Sequence, residues 1–360
     1  MSVNIIDVGA SRISGARQHQ EDRYVTLLPG SLKSRKDLAL FAVYDGHGGT
    51  QVVNHVAQHL HTYLEQYLSN PKASNAAEYK HAIQCALKAV DQDLDRADLQ
   101  GGSTVTLVVV DTKQNLLVQA NLGDSHCCFA DHEPQTPQSL SPQSPSRADS
   151  IVGQTGWNIE TLSVEHTPDS PLEKRRIEEA GGKINYSSGI ARIGGVSMSR
   201  ALGDLDLKKP RVNRLAGHDL SDLAGIGVET GLAPGKSAKQ DLISNKAHFS
   251  VRNLNGQSLI LLASDGVGGA HQAEEATRLA VDRWQQGKEA KEIAEELTQK
   301  HGEMKGADNC TVVVIVLDTE SKGRRSVDSG RRSFDVSLDG GSRRRRRSSI
   351  ASLKDWIRDL

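Results

Sequence analysis

Three aspartates stand at the ends of long apolar runs, and they are the first candidates for chemistry. Asp45 follows a run that ends at Tyr44, Asp265 follows one that ends at Ser264, and Asp308 precedes a third. Apolar, β-branched runs of this length predict buried strands, so each carboxylate should stand at a strand end. If the three strands are neighbours, the carboxylates converge, and converging carboxylates repel one another unless cations lie between them. The pattern predicts a metal site.

The Asp-Gly pairs at 45–46 and 265–266 also have a simpler interpretation. Asp-Gly is a common turn dipeptide, because glycine adopts positive φ and aspartate accepts hydrogen bonds within its own turn. Two such strand ends, with His47 beside the first, favour a functional site over two unrelated turns.

Hydrophobic periodicity predicts the elements that must hold these groups. Apolar residues recur at helical spacing in 51–68 and 76–99, and further helices are expected at about 273–286 and 290–301. The runs 105–110 and 116–122 predict a hairpin of two strands.

Local signals mark the remaining segments. Ser170 to Glu173 has the pattern of a capping box with proline at the first helical position, and it predicts a helix that carries Leu172, Ile177 and Ala180. The polar segment 13–36 is predicted to be a loop, and the segment 183–228 to be short strands joined by a flap.

The net charge of −1 conceals an asymmetry between the body of the chain and its tail. Residues 321–360 contain 12 Lys and Arg against 5 Asp and Glu, a net +7 that leaves −8 for residues 1–320. An acidic body argues against nucleic-acid binding by that part of the chain, because such proteins carry basic patches on the folded domain. It is compatible with cation binding.

The four cysteines form neither a CxxC pair nor a zinc-site spacing, and we expect them to be reduced and mostly packed. The N-terminus lacks the pattern of a secretory signal, and no apolar run approaches membrane-spanning length. We therefore expect a protein of the cytoplasm, the nucleus or both, without a transmembrane segment, and a monomer.

Short motifs carry a resemblance to a known family. They occur in the order Arg17, Glu21-Asp22, Asp45-Gly46-His47-Gly48-Gly49, Gly102-Ser103-Thr104, Gly123-Asp124-Ser125, Ser199 to Asp204, Asp265-Gly266 and Asp308-Asn309. In this order and spacing, over about residues 5–318 without 131–156, the sequence resembles the metal-dependent protein phosphatase 2C (PPM) family. The resemblance implies an α+β fold, a β-sandwich of two antiparallel sheets flanked by helices on both outer faces. It also implies a serine/threonine phosphatase that hydrolyses phosphoserine and phosphothreonine by attack of a water bridging two metal ions.

The resemblance further implies a set of metal ligands. Asp45 would bridge the two ions, with Glu21 and the Gly46 carbonyl on one ion and Asp265 and Asp308 on the other. Ligation by oxygen alone suits Mg²⁺ or Mn²⁺ better than zinc.

Two further residues would act on the substrate. Arg17 would clamp the phosphate with its forked guanidinium, and His47 would protonate the departing serine or threonine oxygen. The alternatives are a surface arginine paired with Glu21 or Asp22, and a histidine that caps a turn. No Cys-x5-Arg loop of the thiol phosphatases is present, and the two-metal mechanism needs no protein nucleophile.

The sequence departs from the family pattern at a third, weaker metal site. Glu165 stands where the family has aspartate, and Gly269 stands where it has a second acid. We therefore predict that a third ion binds weakly or is absent. His126 replaces an arginine of the family and is expected to have a structural role.

Two competing hypotheses remain. A pseudophosphatase would use the same fold as a binding or scaffolding module, and the altered third site favours it, whereas the retained catalytic set favours an enzyme. Alternatively, the chain serves mainly as a basic-tail protein that binds RNA or an anionic membrane, which deletion of 321–360 would test.

We expect residues 1–320 to form the phosphatase domain, with a disordered Ser/Pro-rich insertion at 131–156. Residues 321–360 would form a basic Arg/Ser-rich regulatory tail that ends in a short amphipathic helix at 350–360. The expected partners are phosphoprotein substrates, and for the tail its own domain, kinases or the import machinery. Phosphorylation at Ser348 and Ser349 should weaken contact between tail and acidic body, because phosphate removes net positive charge.

Overall fold

The computed structural model describes residues 2–68, 75–132, 156–216, 231–319 and 334–336. Its strands are β1 (Asn4–Ile13), β2 (Arg23–Leu27), β3 (Leu38–Tyr44), β4 (Gly46–His47), β5 (Gly102–Ser103), β6 (Val105–Asp111), β7 (Leu116–Leu122), β8 (His126–His132), β9 (Trp157–Thr161), β10 (Leu202–Gly203), β11 (His248–Asn253), β12 (Gln257–Ala263), β13 (Cys310–Asp318) and β14 (Phe334–Val336). Its helices are α1 (Gln51–Tyr67), α2 (Ala76–Arg96), α3 (Pro171–Glu179), α4 (Arg211–Ala216), α5 (Ala270–Gln285) and α6 (Ala290–Gly302).

Two large antiparallel sheets form the centre of the molecule. One has five strands in the order β1-β13-β12-β8-β9, and the other has six in the order β11-β7-β6-β3-β2-β14. A small third sheet, β10-β5-β4, lies beside them. The predicted sandwich of two antiparallel sheets flanked by helices is confirmed, and so is the β6–β7 hairpin.

Three apolar clusters hold the layers together. Phe41 and Val108 of the six-stranded sheet pack with Ile260 and Ile315 of the five-stranded sheet in the space between them. The outer face of the six-stranded sheet packs under α1 and α2, and that of the five-stranded sheet under α5 and α6. Each fully buried large side chain contributes about 1.5 to 3 kcal/mol to this packing. The order of layers is therefore helices, sheet, sheet, helices.

Two local predictions are wrong. The segment 13–36, predicted as a loop, contains β2, where Val25 and Leu27 are buried and where pairing with β3 compensates for a short and partly polar run. Helix α3 begins at Pro171 as expected, but Ser170 makes no capping hydrogen bond. The capping box does not form because the Glu173 carboxylate instead binds Ser199.

The apolar face of α3 is also narrower than predicted. Ile177 and Ala180 are buried, whereas Leu172 is 81% exposed. Glu173 and Ile177 lie four residues apart and so share the buried face, which turns Leu172 towards solvent.

All four cysteines are free, and Cys127, Cys128 and Cys310 are buried. In the part of the chain that the structure describes, no helix has the length and apolar character needed to cross a membrane. The predicted helix at 350–360 lies outside the described residues, as do 133–155 of the predicted insertion.

Candidate active site at one end of the sandwich

The three strand-end aspartates lie at the same end of the sandwich. β12 and β13 are paired neighbours, so Asp265 and Asp308 stand side by side at one edge of the five-stranded sheet. β3 belongs to the facing sheet, and Asp45 follows it directly. The expected convergence is therefore present, but it occurs across the two sheets rather than along one.

The carboxyl groups at this end are close enough to perturb one another. Besides burial, the charge of Asp265 is among the causes that raise the pKa of Asp45, and the charge of Asp308 is among those that raise the pKa of Asp265. Burial, followed by the charges of Asp22 and Asp265, raises the pKa of Asp45 well above its ordinary value. Desolvation and the charge of Asp265 raise the pKa of Asp124 to about 7. Burial and mutual repulsion both disfavour the charged forms of these carboxyl groups, as expected of a site that a cation would stabilise.

Asp22 is a member of this cluster that the sequence analysis did not assign a role. It is fully buried, and its Oδ2 accepts hydrogen bonds from Ser264 Oγ and Thr311 Oγ1, both at 2.7 Å. Burial raises its pKa to about 7 in spite of these two bonds. Asp22 thus joins the start of β2 to the ends of β12 and β13. The sequence signal that could have identified Asp22 as a member of the site was its position beside Glu21 in the Glu21-Asp22 motif.

The Glu21 and Gly46 segments are held together by backbone contacts. The Glu21 N–H donates to Asn309 Oδ1 at 2.7 Å, and Asn309 Nδ2 donates to the carbonyls of Ser14 and His19. A Cβ on Gly46 would lie 2.6 Å from the Glu21 carbonyl oxygen, so only glycine permits this approach. Asn309 and Gly46 place Glu21 beside Asp45.

Arg17 pairs with neither of the acids weighed from the sequence. Its guanidinium donates to Asp308 Oδ2 at 2.6 Å, and the two side chains are 63% and 40% exposed. An exposed ion pair contributes at most about 1 kcal/mol. The ion pair that holds Arg17 at the mouth of the site is therefore weak. An anion that binds the guanidinium more tightly than Asp308 does can replace it.

His47 makes an ion pair that the sequence analysis missed. Its Nε2 lies 2.9 Å from each carboxylate oxygen of Asp204, at the end of the Ser199 to Asp204 motif. Desolvation alone would lower the pKa of His47, but the charge and hydrogen bond of Asp204 raise it above its ordinary value. A Cβ on Gly102 would lie 2.3 Å from Asp204 Oδ2 and 2.4 Å from His47 Nε2, so the pair needs a glycine beneath it.

A buried network fixes Asp204 from behind. The Gly203 N–H donates to Asp91 Oδ1 at 2.9 Å, and Lys208 Nζ binds both oxygens of the same carboxylate at 2.8 Å. The backbone at Asp204 is left-handed, with φ 48° and ψ 43°. The turn that presents Asp204 to His47 is therefore anchored on α2 through Asp91.

The residues at the position of the predicted third metal site make hydrogen bonds within the protein. Glu165 Oε1 accepts the Ala270 N–H at 3.0 Å, which places its carboxylate on the N-terminus of α5. His126 is 1% exposed and donates from Nε2 to the Gly268 carbonyl at 2.9 Å, and burial lowers its pKa. The hydrogen bond from His126 to the Gly268 carbonyl is the kind of contact that the expected structural role implies. Gly269 supplies no carboxylate.

The donor set suits a hard divalent cation. Asp22 Oδ1 and Asp124 Oδ1 are buried and have no hydrogen-bond partner within the described ranges. Carboxylate and carbonyl oxygens are the ligands that Mg²⁺ and Mn²⁺ prefer. Among the described residues, no three His, Cys, Asp or Glu side chains are grouped closely enough to hold a metal ion, and the Asp308 carboxylate accepts from Arg17.

Comparisons with known proteins match this architecture. The family model described as "Protein phosphatase 2C" matches residues 6–310. The chain is 29% identical over 311 residues to "Probable protein phosphatase 2C 45" of Oryza sativa subsp. japonica, covering 85% of this chain and 86% of the relative. It is 26% identical over 323 residues to "Protein phosphatase 1L" of Bos taurus, covering 88% and 74%. Its fold is similar to that of the serine-threonine phosphatase 2C from Toxoplasma gondii, with a TM-score of 0.59, 22% identity and coverage of 88% and 98%.

Proposed function

Because the chain belongs to the protein phosphatase 2C family, we propose that it is a metal-dependent protein serine/threonine phosphatase that hydrolyses phosphoserine and phosphothreonine in phosphoprotein substrates. The observation that carries the proposal is the convergence of Asp45, Asp265 and Asp308 beside a histidine held by a carboxylate. Two Mg²⁺ or Mn²⁺ ions, when bound, lower the pKa of a water and neutralise charge on the phosphate.

The side chains divide into those that hold the ions and one that holds the phosphate. Glu21, Asp45, Asp265 and Asp308, with the Gly46 carbonyl, would hold the two ions. Arg17 would then leave Asp308 for the substrate phosphate, where its fork matches two oxygens. The exchange is easy because the Arg17–Asp308 pair is exposed.

His47 would act as the general acid. Asp204 orients the imidazole and favours its protonated form, so a proton is available when the serine or threonine oxygen departs. Of the two ring nitrogens, Nε2 is hydrogen-bonded to the Asp204 carboxylate. Nδ1 is buried and has no hydrogen-bond partner among the residues described.

We expect His47→Asn to act selectively on substrates with poor leaving groups. The kcat for a phosphoserine peptide should fall about 10²- to 10⁴-fold, because an alkoxide departs poorly without a proton. The kcat for p-nitrophenyl phosphate should change far less, since p-nitrophenolate leaves unprotonated. Steady-state kinetics with both substrates in Mn²⁺ would measure the difference. His59→Asn on α1 is the matched control. Equal losses on both substrates would contradict the acid role.

The third-site prediction can be tested by restoring the missing acid. A Cβ on Gly269 would meet Glu165 Oε1 at 3.5 Å and Gln272 Oε1 at 3.6 Å, which are ordinary contacts. We expect wild type to bind two Mn²⁺ ions well, and Gly269→Asp to bind a third at least about tenfold more tightly than wild type does, which calorimetric titration would measure. Gly269→Asn is the control, because it caps α5 equally well without the charge. Three ions of comparable affinity in wild type would contradict a weakened third site.

The proposed function is tested by hydrolysis of a phosphothreonine peptide with Mn²⁺, with Mg²⁺ and with chelator. Turnover that requires a metal supports the phosphatase. Folded protein that is inactive with every metal would instead favour the pseudophosphatase, for which the bonding of Glu165 to Ala270 at the third site is the relevant observation.

A further inference from the structure

A short strand of the basic tail, β14, belongs to the six-stranded sheet. β14 lies within residues 321–360 and pairs antiparallel with the edge strand β2, with Phe334 opposite Leu27 and Val336 opposite Val25. Strand addition at an exposed sheet edge is a common way of anchoring an extended segment. Residues 334–336 of the tail are therefore attached to the domain at a defined register.

This register gives the tail a direction. β2 begins at Arg23, which is opposite Tyr44, and the next residue after Tyr44 is Asp45. The start of β2 is thus the active-site end of the sheet. Because β14 is antiparallel to β2, it lies opposite Leu27 first and opposite Val25 last, so the C-terminal end of β14 is the end nearer the active site.

The length of chain after β14 is sufficient to reach the site. Val25 is three residues from Asp22, which is about 10 Å along a strand. Arg343 is seven residues beyond Val336, and seven extended residues span up to about 25 Å. The five consecutive arginines 343–347 can therefore lie over the active site of their own molecule.

Charge favours this placement. Four acidic residues at this end of the sandwich are accessible to solvent. Asp265 is exposed, Glu21 is half-buried, and the side chains of Asp308 and Glu165 are 40% and 39% exposed. Arg17 already pairs with Asp308. Guanidinium groups bind carboxylates in forked pairs, so a run of arginines complements such a mouth.

We propose that Arg343–Arg347 docks on the acidic mouth of the active site in the same molecule and competes there with phosphoprotein substrates. The competition rests on the proposed function, because it takes this mouth to be the substrate entrance, whereas the docking needs no turnover. β14 is the anchor that raises the local concentration of the arginine block.

The docking is tested in the full chain with benzophenone-alanine in place of Ser349. After irradiation at low ionic strength, we expect intramolecular cross-links to 17–23, 45–50 and 265–269, located by mass spectrometry. They should disappear when all five arginines are replaced by glutamine, and at high salt, because exposed charges are screened. Cross-links to other surfaces or between molecules, or cross-links that survive the glutamine variant, would overturn the proposal.

The anchor is tested by a second full-length variant, Phe334→Pro with Asp335→Pro. In an antiparallel pair only one of two successive N–H groups faces the neighbouring strand, so the double change removes the bonding donor whichever it is. We expect the cross-links to the site to be lost. Asp328→Pro with Ser329→Pro is the matched control and should retain them. Equal cross-linking patterns in the two variants would contradict the role of β14 as an anchor.

Kinetics separates docking from function. Without the arginines, KM for a phosphopeptide should fall about tenfold, an effect equal to one or two surface ion pairs, whereas p-nitrophenyl phosphate should be little affected. An unchanged KM in an active enzyme would overturn the competition. Site cross-links in a protein that is inactive with every metal would leave the docking standing and remove the phosphatase function instead.

Discussion

Asp45→Asn is expected to abolish metal-dependent hydrolysis of a phosphothreonine peptide, with kcat/KM lower by about 10³-fold or more. Asp45 is the carboxylate shared by the two proposed ions, and each 1.36 kcal/mol of lost transition-state stabilisation lowers the rate tenfold. Chelator should have the same effect on wild type. The measurement is initial rates with Mn²⁺ and with Mg²⁺.

The same substitution should leave the metal-free protein folded. Burial and the neighbouring Asp22 and Asp265 disfavour a charge on Asp45, so a neutral isostere removes repulsion. We expect the free energy of unfolding without metal to be unchanged or higher, and the stabilisation by added Mn²⁺ to be lost. This combination distinguishes a ligand from a structural residue.

Asp282→Asn is the matched control for this experiment. Asp282 lies on α5, 13 residues beyond Gly269, which corresponds to about 20 Å along the helix. It should retain wild-type rates and metal response. Full activity of Asp45→Asn, or of wild type in chelator, would contradict the two-metal proposal.

Glu173→Gln is expected to destabilise the domain by about 3 to 5 kcal/mol, the range for breaking a buried ion-pair network. Glu173 is 4% exposed and accepts from Arg176 Nε at 3.1 Å, Ser199 Oγ at 2.9 Å and Arg200 Nη2 at 2.5 Å. Without its charge, two half-buried guanidinium groups lose their common partner. Urea unfolding at pH 7 measures the loss.

The effect should depend on pH in a direction that the pKa sets. Burial alone would raise the pKa of Glu173, but hydrogen bonds and charges from Arg200 and Arg176 lower it to about 2. A lowered folded-state pKa means that the stabilisation is complete above the unfolded value near 4.5 and is lost as pH falls towards 2. The difference between wild type and Glu173→Gln should therefore shrink below pH 4.5.

Glu179→Gln on the same helix is the control. Glu179 pairs with Arg175 on the surface, where both side chains are mostly exposed, so less than about 0.5 kcal/mol should be lost. A similar loss for both variants would show that the Glu173 network contributes no more than a surface pair.

The long helices and the almost wholly buried strands β3, β6, β7, β12 and β13 could be predicted from the sequence because their signals are local. The stripe of Val52, Val56 and Leu60 repeats at helical spacing, and all three side chains are buried in α1. β2 was missed because five residues beginning with arginine carry little periodicity, and pairing with β3 decides the strand. The capping box failed because the partners of Glu173 lie 26 and 27 residues away.

By itself, the sequence determined which reactive side chains this protein has and that Asp45, Asp265 and Asp308 stand at strand ends, since continuous apolar runs and turn chemistry are signals that extend over a few residues. Only the tertiary structure decided which groups meet. Arg17 and Asp308 are 291 positions apart, and His47 and Asp204 are 157 apart. Such pairs arise when two sheets pack face to face and the strand ends coincide. That packing depends on the buried apolar area of the whole domain and on no single motif.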